Sequence, residues 1–244
     1  MKSQKHESRK SIFAKLMVFS TMTLSTPKVI AAEKDLYDFL WLDPDKKVYV
    51  LQNKVHKKEH TVFANLGIGI GLSSTFQDTS LIHGNFGYFI TEEFAIEGLY
   101  TNYSNKDNEA LANLQKLNGS VPFIRKTKSN LGAIAKWSPF YGKVNTFNKI
   151  FYFDWSFGLG AGILKTESNA TTVANPTLAN SYKSESYATI IGKSELTFHA
   201  TKNINLNIGF IMNNYKAPGP VINNKSTDKM RSNFDAILSF GVSF

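Results

Sequence analysis

Residues 234–244 read FDAILSFGVSF. Phe234, Ala236, Leu238, Phe240, Val242 and Phe244 fall on one face of a period-two pattern. Asp235, Ser239, Gly241 and Ser243 fall on the other, with Ile237 the single apolar member there. A helix cannot use that period; a half-buried strand can. The row of aromatics runs up to the terminal carboxylate on Phe244. Two settings suit such a strand: the edge of a β-sandwich, or one strand of a closed barrel facing lipid. The choice turns on how many similar strands precede it.

The 244 residues accommodate one barrel or one to two ordinary domains. There is no Cys, which excludes a disulfide framework, a thiolate metal site and a lipid-modified cysteine. Nineteen Phe and ten Tyr coexist with a mean hydropathy of −0.21. Alternation explains the combination, because half of each barrel strand faces lipid and half is polar. No apolar run reaches the roughly 18 residues of a helical span.

The net charge of +9 is concentrated at the N-terminus. Residues 1–32 hold Lys2, Lys5, Arg9, Lys10, Lys15 and Lys28 against Glu7 alone, so of 28 basic and 19 acidic residues only 22 and 18 follow Ala32. That balance, with no basic cluster interleaved with stacking aromatics, argues against nucleic acid as a partner. Residues 1–32 instead read as an export signal. A basic stretch ends near Lys15, the apolar LMVFSTMTL follows, and VIAA offers small residues for cleavage after Ala31 or Ala32. A cytosolic amphipathic helix is the alternative. Residues 33–59 turn at Asp43-Pro44-Asp45 and then alternate through Val48, Val50 and Gln52. They are expected as a periplasmic N-terminal segment, either a plug or cap, or a strand leading into the barrel.

From His60 the chain repeats one unit, about ten alternating residues and then a turn. Strands are expected near 60–73, 80–91, 94–104, 129–139, 151–163, 185–200, 203–215 and 234–244. The fifth is the clearest: Phe151, Phe153, Trp155, Phe157, Leu159, Ala161 and Ile163 alternate with a face containing Asp154, Gly158, Gly160 and Gly162. Gly67, Gly69 and Gly71 of the first strand face inward, as a narrow lumen requires. Thr91-Glu92-Glu93, the stretch SPFYGKVNTFN (138–148) and a two-residue Lys202-Asn203 hairpin are expected as turns at one end. At the other lie a shorter first loop and long polar loops at 105–129 and 167–184, with a Pro/Gly/Asn loop at 217–230. LANLQKL (111–117) inside the first long loop suits a short helix. Eight strands with short turns at one end and longer loops at the other predict an all-β, eight-stranded, antiparallel, up-and-down transmembrane barrel over 60–244.

Phe240, Val242 and Phe244 then resemble the C-terminal assembly signal of bacterial outer-membrane barrels, which implies the barrel assembly machinery as a partner. WLDPDKKVYVLQNK (41–54) and KWSPFYGKVNTFNKIFYFDWSFGLGAG (136–162) resemble the myxobacterial-type outer-membrane β-barrel domain family. The resemblance runs from about Trp41 to Phe244. It implies a Gram-negative outer-membrane barrel and no defined activity, so no catalytic residue or cofactor is carried over.

The inward ionisable set is Glu97, Lys136, Asp154, Lys193, Glu195 and Asp235, with His83 and His199. Unpaired buried charge is costly, so these groups are expected to pair into a lumen network. A plugged barrel presenting its outer loops is the leading functional expectation. A small solute channel is the second, and a membrane-embedded lipid or peptide hydrolase the third. For hydrolysis His83 is the candidate base, with Asp78 able to approach it from the loop side. His56 and His60 match a metal spacing numerically, but they flank a Lys-rich turn, and no metal site is assigned. Lys106, Lys116, Arg125, Lys126 and Lys128 are candidates for lipopolysaccharide phosphates, and the loops for an unidentified surface ligand.

Overall fold

A computed structural model describes residues 55–119, 121–146, 149–173, 180–220 and 227–244. The export signal and most of the 33–59 segment lie outside the described residues. Eight strands form one closed barrel in which each pairs antiparallel with its neighbours in sequence: β1 (Val62–Gly71), β2 (Gln77–Phe89), β3 (Phe94–Asp107), β4 (Arg125–Thr146), β5 (Lys149–Ser168), β6 (Lys183–His199), β7 (Ile204–Pro218) and β8 (Asp228–Ser243). The ring closes where β1 meets β8, in register from Phe63 opposite Ser243 to Gly71 opposite Asp235. Beyond the last paired residue, Val62 N–H donates to Phe244 O at 3.0 Å and Phe244 N–H returns to Val62 O at 2.9 Å. Closure removes the exposed edges that make an open sheet prone to pairing with other chains.

The period-two pattern is expressed with its polarity inverted relative to a soluble protein. Leu66, Ile68, Phe86, Leu131, Leu159 and Phe240 are each 60–68% exposed, whereas Glu97, Lys136, Lys193 and Glu195 are buried. The outward apolar side chains come from all eight strands. A continuous belt of this kind far exceeds the few hundred Å² of apolar patch on a water-soluble monomer. The solvent that matches it is a bilayer, which a tilted strand of about ten residues crosses. The barrel is of the transmembrane type.

The loop expected at 105–129 does contain a helix, α1 (Glu109–Asn118). Asn108 caps it by accepting from Leu111 N–H, and Gly119 ends it in the left-handed region at φ 59°, where a Cβ would be strained. Two expected turns differ from the structure. SPFYGKVNTFN is not a turn: β4 runs through Ser138–Thr146, pairs with β5 from Lys149, and leaves only 147–148 between the strands. Pro139 has no N–H to give the ladder, and a register shift between Trp137 and Phe140 accommodates it in a bulge. The β6–β7 connection is four residues, 200–203, not two. Thr201 Oγ1 accepts from Asn203 and Ile204 N–H, as Thr91 Oγ1 accepts from Glu93 and Phe94 N–H in the β2–β3 turn. One turn chemistry serves both hairpins.

Candidate functional site

The interior is divided into four levels. At mid-height β3 and β6, on roughly opposite sides of an eight-strand ring, send Glu97, Lys193 and Glu195 across the lumen, and β4 adds Lys136. Lys193 Nζ sits 2.6 Å from Glu97 Oε1 and 2.7 Å from Glu195 Oε2. Lys136 Nζ reaches Glu195 Oε1 at 2.5 Å and Glu97 Oε2 at 3.8 Å. Two acids and two bases thus alternate in a closed square with no net charge. Each charge keeps an opposite neighbour, which offsets the cost of removing it from water.

Above the square, Leu81, Leu99, Tyr103, Ile134, Ile191, Ile211 and Ile237 form one apolar cluster contributed by β2, β3, β4, β6, β7 and β8. β1 and β5 contribute inward glycines there. A Cβ on Gly158 would lie 2.6 Å from Ile134 Cδ1, and one on Gly162 would lie 2.9 Å from Ile191 Cδ1. Six strands can fill so narrow a lumen only because two leave it empty. His83 borders this level, with Nδ1 2.8 Å from Thr101 Oγ1 and Nε2 buried without a partner.

The turn end is closed by residues 55–61, which precede β1. His60 takes a positive φ of 60° and turns the chain so that the Lys58 side chain enters the barrel. Lys58 Nζ meets Asp154 Oδ1 at 2.7 Å and Ser138 Oγ at 2.8 Å. The other Asp154 oxygen lies 2.7 Å from His199 Nε2, and His199 Nδ1 lies 2.9 Å from Asn205 Oδ1. His56 stacks flat on His199 with ring centroids 4.4 Å apart. Burial, and secondly the nearby His199, push the His56 pKa below its usual value, while Asp154 opposes the change.

The loop end opens into a cavity of about 400 Å³ with Asp235 and Tyr103 deep in the strands and Arg231, Arg125 and Phe123 towards the loops. Tyr103 O–H donates to Asp235 Oδ2 at 2.7 Å and Asn213 Nδ2 donates to the same oxygen at 3.3 Å. Arg125 Nη1 donates to Glu185 Oε2 at 2.6 Å and to Thr166 Oγ1 and Tyr187 O–H, while Nη2 donates to Pro218 O at 2.9 Å.

All six ionisable residues expected inside are inside, yet they form no single network. Glu97, Lys136, Lys193 and Glu195 make the square, and Asp154 belongs to the turn-end cluster. Asp235 has no cationic partner among the described residues; a tyrosine and an asparagine hold it instead. In register only Ile211 stands between Asp235 and Lys193, whose ammonium is taken by Glu97 and Glu195. Lys58 was not anticipated, since nothing in a Lys-rich run marks which ammonium will be buried. Arg125, expected at the membrane surface, points inward with a side chain 4% exposed, and Lys126 engages Asp107 at 3.3 Å and the Tyr182 ring. Lys106, Lys116 and Lys128 do face outward. Asp78 is on the outer face and cannot approach His83. His56 and His60 diverge, one to His199 and the other to Tyr88. Phe240, Val242 and Phe244 lie on the exposed outer face.

The chain matches no protein-family model and no curated protein, so the likeness noted for Trp41–Phe244 stands on its residues alone. Solved structures similar to it include Ail, the attachment invasion locus protein of Yersinia pestis, 13% identical with a TM-score of 0.44 over 76% of this chain and 99% of that one. The N-terminal β-barrel domain of Pseudomonas aeruginosa OprF is 13% identical with a TM-score of 0.46, covering 76% and 98%. The P. aeruginosa outer membrane protein OprG is 10% identical with a TM-score of 0.43, covering 78% and 98%. The fold assignment rests on the closed ring of strand pairs itself: an all-β, eight-stranded, antiparallel, up-and-down barrel.

Proposed function

We propose that this protein is a sealed barrel of the Gram-negative outer membrane that acts as an anchor, holding its outer loops and vestibule at the cell surface. The observation that carries the reading is Lys193, which bridges Glu97 and Glu195 across the lumen beneath the apolar layer. An ion crossing the barrel would have to open both the square and the aliphatic cluster. The apolar belt and the membrane-family resemblance of Trp41–Phe244 support the location. Exposed Lys106, Lys116 and Lys128 suit lipopolysaccharide phosphates, and the β8 face of Phe240, Val242 and Phe244 suits recognition by the barrel assembly machinery. The test is single-channel conductance of the refolded barrel in a planar bilayer. A folded, inserted and silent barrel is expected. Steady, ion-selective steps that change on Lys136→Met or Glu195→Gln would replace this reading with that of a small solute channel.

A further inference from the structure

Among the described residues the charges of the barrel interior are paired, with two exceptions at opposite ends of one cavity. Lys58, Glu97, Lys136, Asp154, Lys193 and Glu195 each have an oppositely charged neighbour. Asp235 is 3% exposed and has no cation; both bonds in which it accepts end on Oδ2, leaving Oδ1 without a protein donor among the described residues. Arg231, on the same strand, has no acceptor among them for its guanidinium, whose Cζ lies 5.2 Å from the Phe123 ring centroid, and its Nε is buried and unbonded. The two residues are four apart with both side chains inward, so their Cα atoms are separated by about 13 Å along the strand. That span keeps the two charges from pairing directly and leaves the cavity between them. Arg125, the neighbouring guanidinium, is already neutralised by Glu185. Phe123 supplies apolar wall beside Arg231.

We propose that this cavity is a binding site for a small zwitterion. Its anionic group is received by Arg231, its cationic group by Asp235 Oδ1, and its apolar spacer lies along Phe123. A carboxylate would satisfy two guanidinium donors at once, and an ammonium would give Asp235 the counter-charge every other interior acid has. A simple anion would leave Asp235 unpaired, and a simple cation would leave Arg231 unpaired. The volume lies within the range of small-molecule pockets. This site lies on the loop side of the square and does not require the lumen to conduct, so silence in a bilayer and loss of binding are separate results.

The test is calorimetric titration of the full chain, refolded in detergent, with ω-amino acids from 4-aminobutanoate to 8-aminooctanoate. For the length that binds best, the N-acetylated form lacks the cation and the carboxamide lacks the anion. The zwitterion should bind at least about tenfold more tightly than either control. Arg231→Gln should reduce the zwitterion to the level of the carboxamide, and Asp235→Asn to the level of the acetylated form. Retention of the compact form on unheated gels reports folding. If Asp235→Asn does not fold, wild-type selectivity and Arg231→Gln at the rim still decide the question. Equal binding of the three probe types, no binding across the series, or selectivity that survives Arg231→Gln overturns the proposal.

Discussion

Lys58 Nζ sits 2.7 Å from Asp154 Oδ1, inside the barrel, although Lys58 belongs to no strand. The contact ties the segment entering β1 to β5, across the turn end of the lumen. Neither side chain is more than 8% exposed, so the pair is scarcely screened by solvent and its rupture leaves a buried carboxylate leaning on His199 alone.

Lys58→Met should therefore destabilise the barrel by about 3 kcal/mol, read as the shift in urea unfolding in lipid vesicles followed by tryptophan emission. Adding Asp154→Asn should recover part of that loss, because the stranded charge is then removed. A Lys58→Met barrel as stable as the wild type would show the pair to be structurally idle.

Closure of the turn end should depend on pH through His56. Its pKa is lowered in the folded barrel, so the unfolded chain binds more protons below the usual value of 6.5. Its contribution is fully present above about pH 6.5 and is lost as pH falls towards the lower folded value. The groups facing the ring are His199, Asp154 and Tyr152. Protection factors for amide exchange at residues 56–61, which correct for the slower intrinsic exchange in acid, should fall as pH drops below about 6.5, and His56→Gln should flatten that slope. An unchanged slope in the variant would assign the effect to another group.

Removing the bridging ammonium of the square is expected to be costlier than removing a rim charge. Lys193→Met leaves Glu97 and Glu195 sharing Lys136, and should cost about 3–5 kcal/mol in the same unfolding assay. Lys128→Met, whose exposed side chain lies 3.6 Å from Glu167, should cost less than about 1 kcal/mol.

Gly158 and Ile134 offer a test of how the lumen is filled. A new Cβ at position 158 meets first the terminal Cδ1 of Ile134, the atom that Ile134→Val deletes. Gly158→Ala should cost about 1–3 kcal/mol through overpacking, and the Gly158→Ala/Ile134→Val double variant should be more stable than the sum of the singles predicts. Strict additivity would place the clash elsewhere.

Phe244 couples the proposed assembly signal to closure, since its backbone bonds Val62 while its ring is 74% exposed. Phe244→Asp keeps those backbone bonds and removes the ring. Folded barrel in isolated membranes should fall several-fold, while refolding into detergent should be little changed. Normal membrane levels would remove the terminal ring from the assembly signal.

The sequence by itself determined the staves and their faces. A period of two can be read residue by residue, as in Phe234 against Asp235 or Ile96 against Glu97, because the side chains of a strand alternate regardless of what lies beyond them. Strand count and the alternation of short and long connections then led to a ring. Only the tertiary structure decided which inward groups meet. Glu97 and Lys193 are 96 residues apart and touch because closure brings β3 opposite β6; Asp235 stays outside the same square although only Ile211 separates it from Lys193 across the strands. The entry of Lys58, the inward turn of Arg125 and the extension of β4 past Pro139 were equally beyond pattern. Each depends on which neighbour lies across the lumen, or one strand over, and alternation carries no information about that distance.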